Sequence, residues 1–97
     1  MNATDIETAL RSAGLPVLPQ VTGGADWSVD HAYRIRSAHG AALFLTNDGD
    51  TFWLVWRRTD ADGEFLFQFV REGSLALCIG AAGFALSPAE FGPWEIA

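Results

Sequence analysis

Apolar residues change their spacing once along this chain. In the first fourteen positions Ile6, Ala9, Leu10 and Ala13 stand at i, i+3, i+4 and i+7, one stripe of a helix. Thr4-Asp5-Ile6-Glu7 fits a capping box, in which the Thr4 hydroxyl accepts from the Glu7 amide and Glu7 reaches back. Asp5 adds negative charge where the helix dipole favours it. Gly14 supplies the stop and Pro16 bars continuation. The predicted helix is about ten residues long, too short to hold together alone in water. Its stripe must therefore dock.

Residues 15–25 read as an irregular connector. Pro16 and Pro19 favour extended backbone and Gly23-Gly24 is a flexible point, while Leu15, Val17, Leu18 and Val21 pack across an edge of the core.

From about Asp30 the period is two. It predicts strands over residues 31–37, 41–46, 51–57, 64–71 and 74–79. His39-Gly40, Asp48-Gly49 and Glu72-Gly73 each place Gly where a tight hairpin needs positive φ. Residues 59–63 form a longer polar loop. Short connections pair neighbouring strands antiparallel, so the simplest topology is a meander. A turn at Asp48-Gly49 sets Leu45 opposite Phe52 and Leu43 opposite Leu54. The next loop sets Arg57 opposite Glu64, Trp56 opposite Phe65 and Leu54 opposite Phe67. A turn at Glu72-Gly73 sets Val70 opposite Leu75.

These registers predict two apolar faces. The first collects Leu43, Leu45, Phe52, Leu54, Trp56, Phe65, Phe67 and Phe69, with Ala76 and Cys78 beside them. The second collects Tyr33, Ile35, Phe44, Trp53, Val55, Leu66, Val70, Leu75, Leu77 and Ile79, with Gln68 and Arg57 among them. A small antiparallel sheet ordinarily has one wet face. The available covers are the N-terminal helix and the C-terminal segment, where Ser87-Pro88 predicts a short helical turn around residues 89–91. A ten-residue helix is about 15 Å long, and a five-stranded sheet is roughly 20–24 Å across. One short helix does not span it. The fold expectation is α+β: a single domain over residues 1–97, with an N-terminal helix on a four- to five-stranded antiparallel meander and a C-terminal strand or short-helix tail.

Composition narrows the function classes. The chain has 97 residues, 49% hydrophobic and 12% aromatic, which is globular. Twelve carboxylates face six cations, all Arg, for a net charge of −6. That charge repels nucleic-acid phosphate, so no nucleic-acid partner is expected. The missing Lys beside abundant Ala, Gly and Arg reads as a bacterial-type genome bias. Cys78 stands alone, so no internal disulfide forms. The N-terminus lacks the basic and apolar runs of a signal peptide, and the uncharged stretch over residues 73–88 is broken by Gly80 and Gly83. A cytoplasmic protein without membrane attachment is the expectation.

The candidate chemistry is thin. Cys78 could act as a nucleophile with His31 or His39 as base, but an apolar strand raises a thiol's pKa where a nucleophile needs it lowered. Asp30-His31 and His39 with Asp48 or Asp50 lack the convergence of a zinc site. Residues 47–50 and 60–64 lack the length or the late Glu of a calcium loop, and turn chemistry accounts for both. Gly80-Ala-Ala-Gly lacks a phosphate-loop pattern. No catalytic residue, cofactor or metal is assigned. Trp27, Trp53, Trp56 and Trp94 are many for this length, and exposed Trp with Arg marks binding hot spots. The expectation is a non-enzymatic protein-interaction module: a homodimer, or a subunit, inhibitor or chaperone-like binder with acidic loops. Its contact residues would be Phe44, Trp53, Val55, Arg57, Leu66, Leu75 and Leu77 on a sheet face or edge. The alternative is a small ligand-binding domain or enzyme with a pocket between sheet and C-terminal tail, using Asp30, His31, Tyr33 and Arg34.

Overall fold

In the computed structural model, which describes residues 2–17 and 29–96, the first helix begins earlier than the capping box suggests. Helix α1 spans Ala3–Ser12, and Asn2 caps it by accepting from the Asp5 amide at 3.0 Å. Asn is at least as strong a cap as Thr, and the earlier start adds backbone hydrogen bonds. Thr4 lies inside the first turn, where its carbonyl accepts from the Thr8 hydroxyl at 2.8 Å. At the far end the Leu15 amide reaches the Leu10 carbonyl and the Gly14 amide reaches that of Arg11, a Schellman closure. Ile6 and Leu10 are the buried members of the predicted stripe. Leu15 and Val17 pack against the core beyond it. The rest of the predicted connector, with Leu18 and Val21, and Trp27 lie outside the described residues.

Strands β1 (His31–Ala38), β2 (Ala41–Asp48), β3 (Thr51–Thr59), β4 (Phe65–Gly73) and β5 (Glu95–Ile96) form one antiparallel sheet in sequence order. Between β4 and β5 come helix α2 (Leu75–Ala82) and a 3-10 turn at Pro88–Glu90. The α+β class, the meander and the turn after Ser87 are as expected. The predicted fifth strand over 74–79 is not a strand; that stretch opens α2. Ser74 caps it, accepting from the Leu77 amide at 3.2 Å, and Gly73 leaves the strand at φ 152, a backbone angle that favours glycine. A Cβ on Gly73 would also stand 3.1 Å from Leu77 Cδ1. Residues 75–82 are apolar all round, so their spacing fits either period. Cap and alanine content decide for helix.

The β2–β3 turn closes one step later than expected, with Asp48 opposite Thr51 and Leu45 opposite Leu54. That is a slip of two, so the faces keep their members. From Thr59 to Val55 the β3–β4 pairing differs by an odd number, with Thr59 opposite Phe65 and Trp56 opposite Gln68, and a bulge between Leu54 and Val55 shifts it by one more. Asp60 sets this register. Its Oδ1 accepts from the amides of Asp62 and Glu64, both at 2.9 Å, and its own amide reaches the Glu64 carbonyl. The loop is therefore tighter than a pairing of Arg57 with Glu64 would need. An odd slip exchanges faces, so Phe65, Phe67 and Phe69 join Phe44 and Val55, while Leu66, Gln68 and Val70 turn to the face of Trp56.

Both helices pack on one face. Ile6 and Leu10 of α1 and Cys78 and Ala82 of α2 share a cluster with Tyr33, Ile35, Leu43, Leu45, Phe52, Leu54 and Trp56. Tyr33 and Ile35 thus belong to the helix face, contrary to the sequence reading. A bulge between Arg34 and Arg36 leaves Ile35 unpaired and turns Arg36 to the same side. There its Nη2 donates to the Ala82 carbonyl at 2.8 Å, satisfying the end of α2. The opposite face carries a second cluster, Phe44, Val55 and Phe67 flanked by Ala42 and Phe65. It does not lie open: Phe44 and Val55 are each 2% exposed.

Candidate functional site

The seven residues nominated for an interface do not share a surface. Phe44, Trp53, Val55 and Arg57 lie on the face away from the helices, Leu66 is on the helix face, and Leu75 and Leu77 are on α2. Phe44 and Val55 are buried within the chain itself. Arg57 lies over the rings of Phe44 and Phe65, 4.6 and 4.5 Å from their centroids. Burial lowers the pKa of its guanidinium. Trp53 is half-buried and its Nε1 donates to Glu72 Oε1 at 3.0 Å. Phe44 and Val55 belong to the cluster on the sheet face opposite the helices.

Of the polar groups expected to line a pocket, Asp30, His31 and Tyr33 are in structural use. His31 Nδ1 lies 3.0 Å from Asn47 Oδ1, Asn47 Nδ2 donates to the Gly49 carbonyl, and the Gly49 amide donates to Asp30 Oδ2 at 2.8 Å. This chain ties the start of β1 to the β2–β3 turn. His31 stacks on Tyr33 at 6.4 Å, while Arg34 lies opposite Phe44 on the other face. Burial, with the charge of Glu7 added, raises the Tyr33 hydroxyl above its ordinary value. His39 stands at the other end of β1 from His31.

Cys78 is fully buried, and burial pushes its thiol up against smaller opposing effects of Arg71 and the Leu54 backbone. Its Sγ lies 4.0 Å from the Arg71 carbonyl. A thiol so placed packs as an apolar side chain.

Of the large apolar side chains that stand exposed, Phe69 and Ile96 are on strands and the others are on α2 and the segment after it. The helix contains no charged or polar side chain, yet Leu77 is 52% exposed, and beyond it Phe84 is 81% and Leu86 66% exposed. Beside it runs a groove of about 720 Å³ between the two helices, lined by Ala9, Ser12, Ala13, Ala76, Ile79 and Gly80 among others. The C-terminal segment is expected from the sequence to cover the sheet, but Phe84 and Leu86 do not do so. Instead Ala85 between them is buried and they point out. Alternation about Ala85 was the available signal.

A second concavity lies between the sheet and the C-terminal segment. It measures about 380 Å³ and is lined by His39, Arg58, Ser87, Pro88, Ala89 and Trp94. Arg58 lies 4.9 Å over the Trp94 ring and also borders a neighbouring cleft of about 340 Å³ that reaches Ser37 and Arg57. None of the polar groups predicted for a sheet–tail pocket lines it. Its members are brought together only by the return of the tail.

Among the described residues no group of three or more His, Cys, Asp or Glu could hold a metal ion, and no helix is long and apolar enough to cross a membrane. No protein-family model, curated protein or solved structure matches the chain.

Proposed function

We propose that this protein is a non-enzymatic interaction module whose contact surface is the outer side of α2 with the Phe84–Leu86 segment, and that its occupant is a second copy of the chain. The observation that carries this reading is a helix apolar all round with its outer side in water. A helix of that composition belongs inside a larger core, and contiguous exposed apolar surface marks an interaction site. Charge favours self-association here. The chain carries −6, but residues 73–89 hold no charged side chain, so two copies can meet along this stretch without placing carboxylates face to face. Small residues of the adjoining groove offer room for a large one: Ala9, Ala13, Ala76 and Gly80 line the hole, and Leu77 and Phe84 are the projecting side chains. A two-fold contact uses both at once. A stable dimer buries roughly 800 Å² per partner, about one-seventh of the 5512 Å² accessible surface. A chain with one cysteine and no disulfide fits a reducing compartment such as the cytoplasm.

Light scattering on the eluting protein tests this. The expected result is a dimer at micromolar concentration that Leu77→Glu and Phe84→Glu each convert to a folded monomer. A wild-type monomer at high micromolar concentration would refute self-association. A dimer indifferent to both substitutions would place the contact elsewhere.

A further inference from the structure

The cleft between the β1–β2 turn and the C-terminal segment gathers groups suited to a negatively charged ligand, in a chain whose net charge is −6. Arg58 is central to it. The Trp94 ring occupies one face of its guanidinium at 4.9 Å, and stacking of this kind leaves the in-plane N–H edge available. That edge is the fork that takes a carboxylate through two parallel hydrogen bonds. Among the described residues the one ion pair is Arg11–Glu7, so no described carboxylate occupies the Arg58 fork, although carboxylates outnumber cations twelve to six.

Two further donors border the same space. His39 sits at φ 53 in the His39-Gly40 turn, a backbone conformation that Asn or Gly adopts more readily, and it lines the cleft from that turn. Ser87 precedes the 3-10 turn without capping it, so its hydroxyl is not engaged there. Pro88 and Ala89 add apolar wall.

The tail side of the cleft is fixed in place. Gln68 Nε2 donates to the Gly92 carbonyl, Phe91 and Trp94 pack against the core, and β5 pairs Glu95 with Phe67. The cleft is therefore formed before any ligand arrives, and its volume lies in the range of small-molecule sites.

We infer that this cleft binds a small monocarboxylate with an apolar or aromatic body, its carboxylate on the Arg58 fork with Ser87 and His39 as further donors and its body against Trp94 and Pro88. A single charge is favoured over a phosphate dianion. One guanidinium matches one charge, and Glu90 and Glu95 follow Ala89 and Trp94 directly. The carboxylate can come from a free acid or from the C-terminus of a peptide. The inference does not depend on self-association through α2.

The test is titration of the uniformly ¹⁵N-labelled protein, read at the Trp94 indole N–H, the His39 amide and the Arg58 Nε–H. Sodium benzoate probes the free-acid source and N-acetyl-Ala-Phe the peptide source; benzamide and inorganic phosphate are controls. Saturable shifts confined to these groups are expected from one or both carboxylates, and which one separates the sources. Benzamide is expected to be silent and phosphate at least tenfold weaker. Arg58→Gln, with the remaining spectrum unchanged, is expected to weaken binding at least tenfold, and Arg58→Lys to bind between the two because it keeps the charge and loses the fork. No saturable shift from either carboxylate up to about 20 mM, equal binding by benzamide or phosphate, or Arg58 variants that bind like wild type would each overturn the inference.

Discussion

Gln68 stands directly opposite Trp56 across the β3–β4 pairing, and its side-chain amide donates to the Gly92 carbonyl in the returning tail. Trp56 is fully buried and Gln68 is 1% exposed, and among the described residues neither Trp56 Nε1 nor Gln68 Oε1 has a hydrogen-bond partner. One buried polar side chain thus fastens the C-terminal segment to the centre of the helix face. Its own carbonyl adds nothing favourable there.

Gln68→Met keeps the shape, removes the orphaned carbonyl oxygen and gives up the bond to Gly92, an exposed residue that water can serve. These terms oppose each other, so the expected change is within about 1 kcal/mol. Gln68→Glu places a carboxylate in the same apolar surroundings and is expected to cost about 3 kcal/mol or more at neutral pH. Chemical denaturation of the two variants checks both.

The second layer of the sheet is a core in its own right, although neither helix contributes to it. Phe44→Ala is expected to cost about 3–5 kcal/mol. Phe69, on the same face but 50% exposed, is expected to cost less than about 1 kcal/mol when cut to Ala. Similar losses at the two positions would contradict the burial pattern.

Arg36 ends α2 from across the sheet. Removing it by Arg36→Met should cost about 1–2 kcal/mol. Amide exchange over residues 75–82 should speed up more than exchange in β2 and β3. Uniform acceleration would show that the contact does not act on the helix.

Cys78 makes stability depend on pH with a definite sign. Burial holds the thiol above its unfolded value, so the protonated form is the one the fold favours. The contribution is complete below the unfolded pKa of about 8.5 and is lost as pH rises beyond it, because the unfolded chain releases its proton first. Cys78→Ala should flatten this part of the profile above pH ~8.5. Iodoacetamide should label native Cys78 only as fast as the protein opens.

Much of the fold was legible because local chemistry determined it. Helix α1 was set by its stripe and Gly14, the hairpins by His39-Gly40 and Asp48-Gly49, and the turn after Ser87 by Pro88. The errors came where local signals were degenerate. Leu75, Leu77 and Ile79 fit a strand, yet Leu75, Cys78, Ile79 and Ala82 fit a helix equally well, and the Ser74 cap with the alanine content breaks the tie. The β3–β4 register turned on the Asp60 side chain, whose two amide contacts no periodicity records, and that one odd slip exchanged the faces of Leu66 and the three phenylalanines. The clefts were illegible for a different reason. His39, Arg58, Ser87 and Trp94 meet only because Gln68 and β5 draw the tail back across the sheet.

Isotope-filtered nuclear Overhauser measurements on a mixture of labelled and unlabelled protein show whether two copies meet through α2. Contacts between copies are expected from the Leu77 methyls and the Phe84 ring to protons of Ala9, Ala13, Ala76 or Gly80, as a meeting through α2 requires. Contacts between copies confined to the strands, or none at concentrations where light scattering reports a dimer, would contradict it.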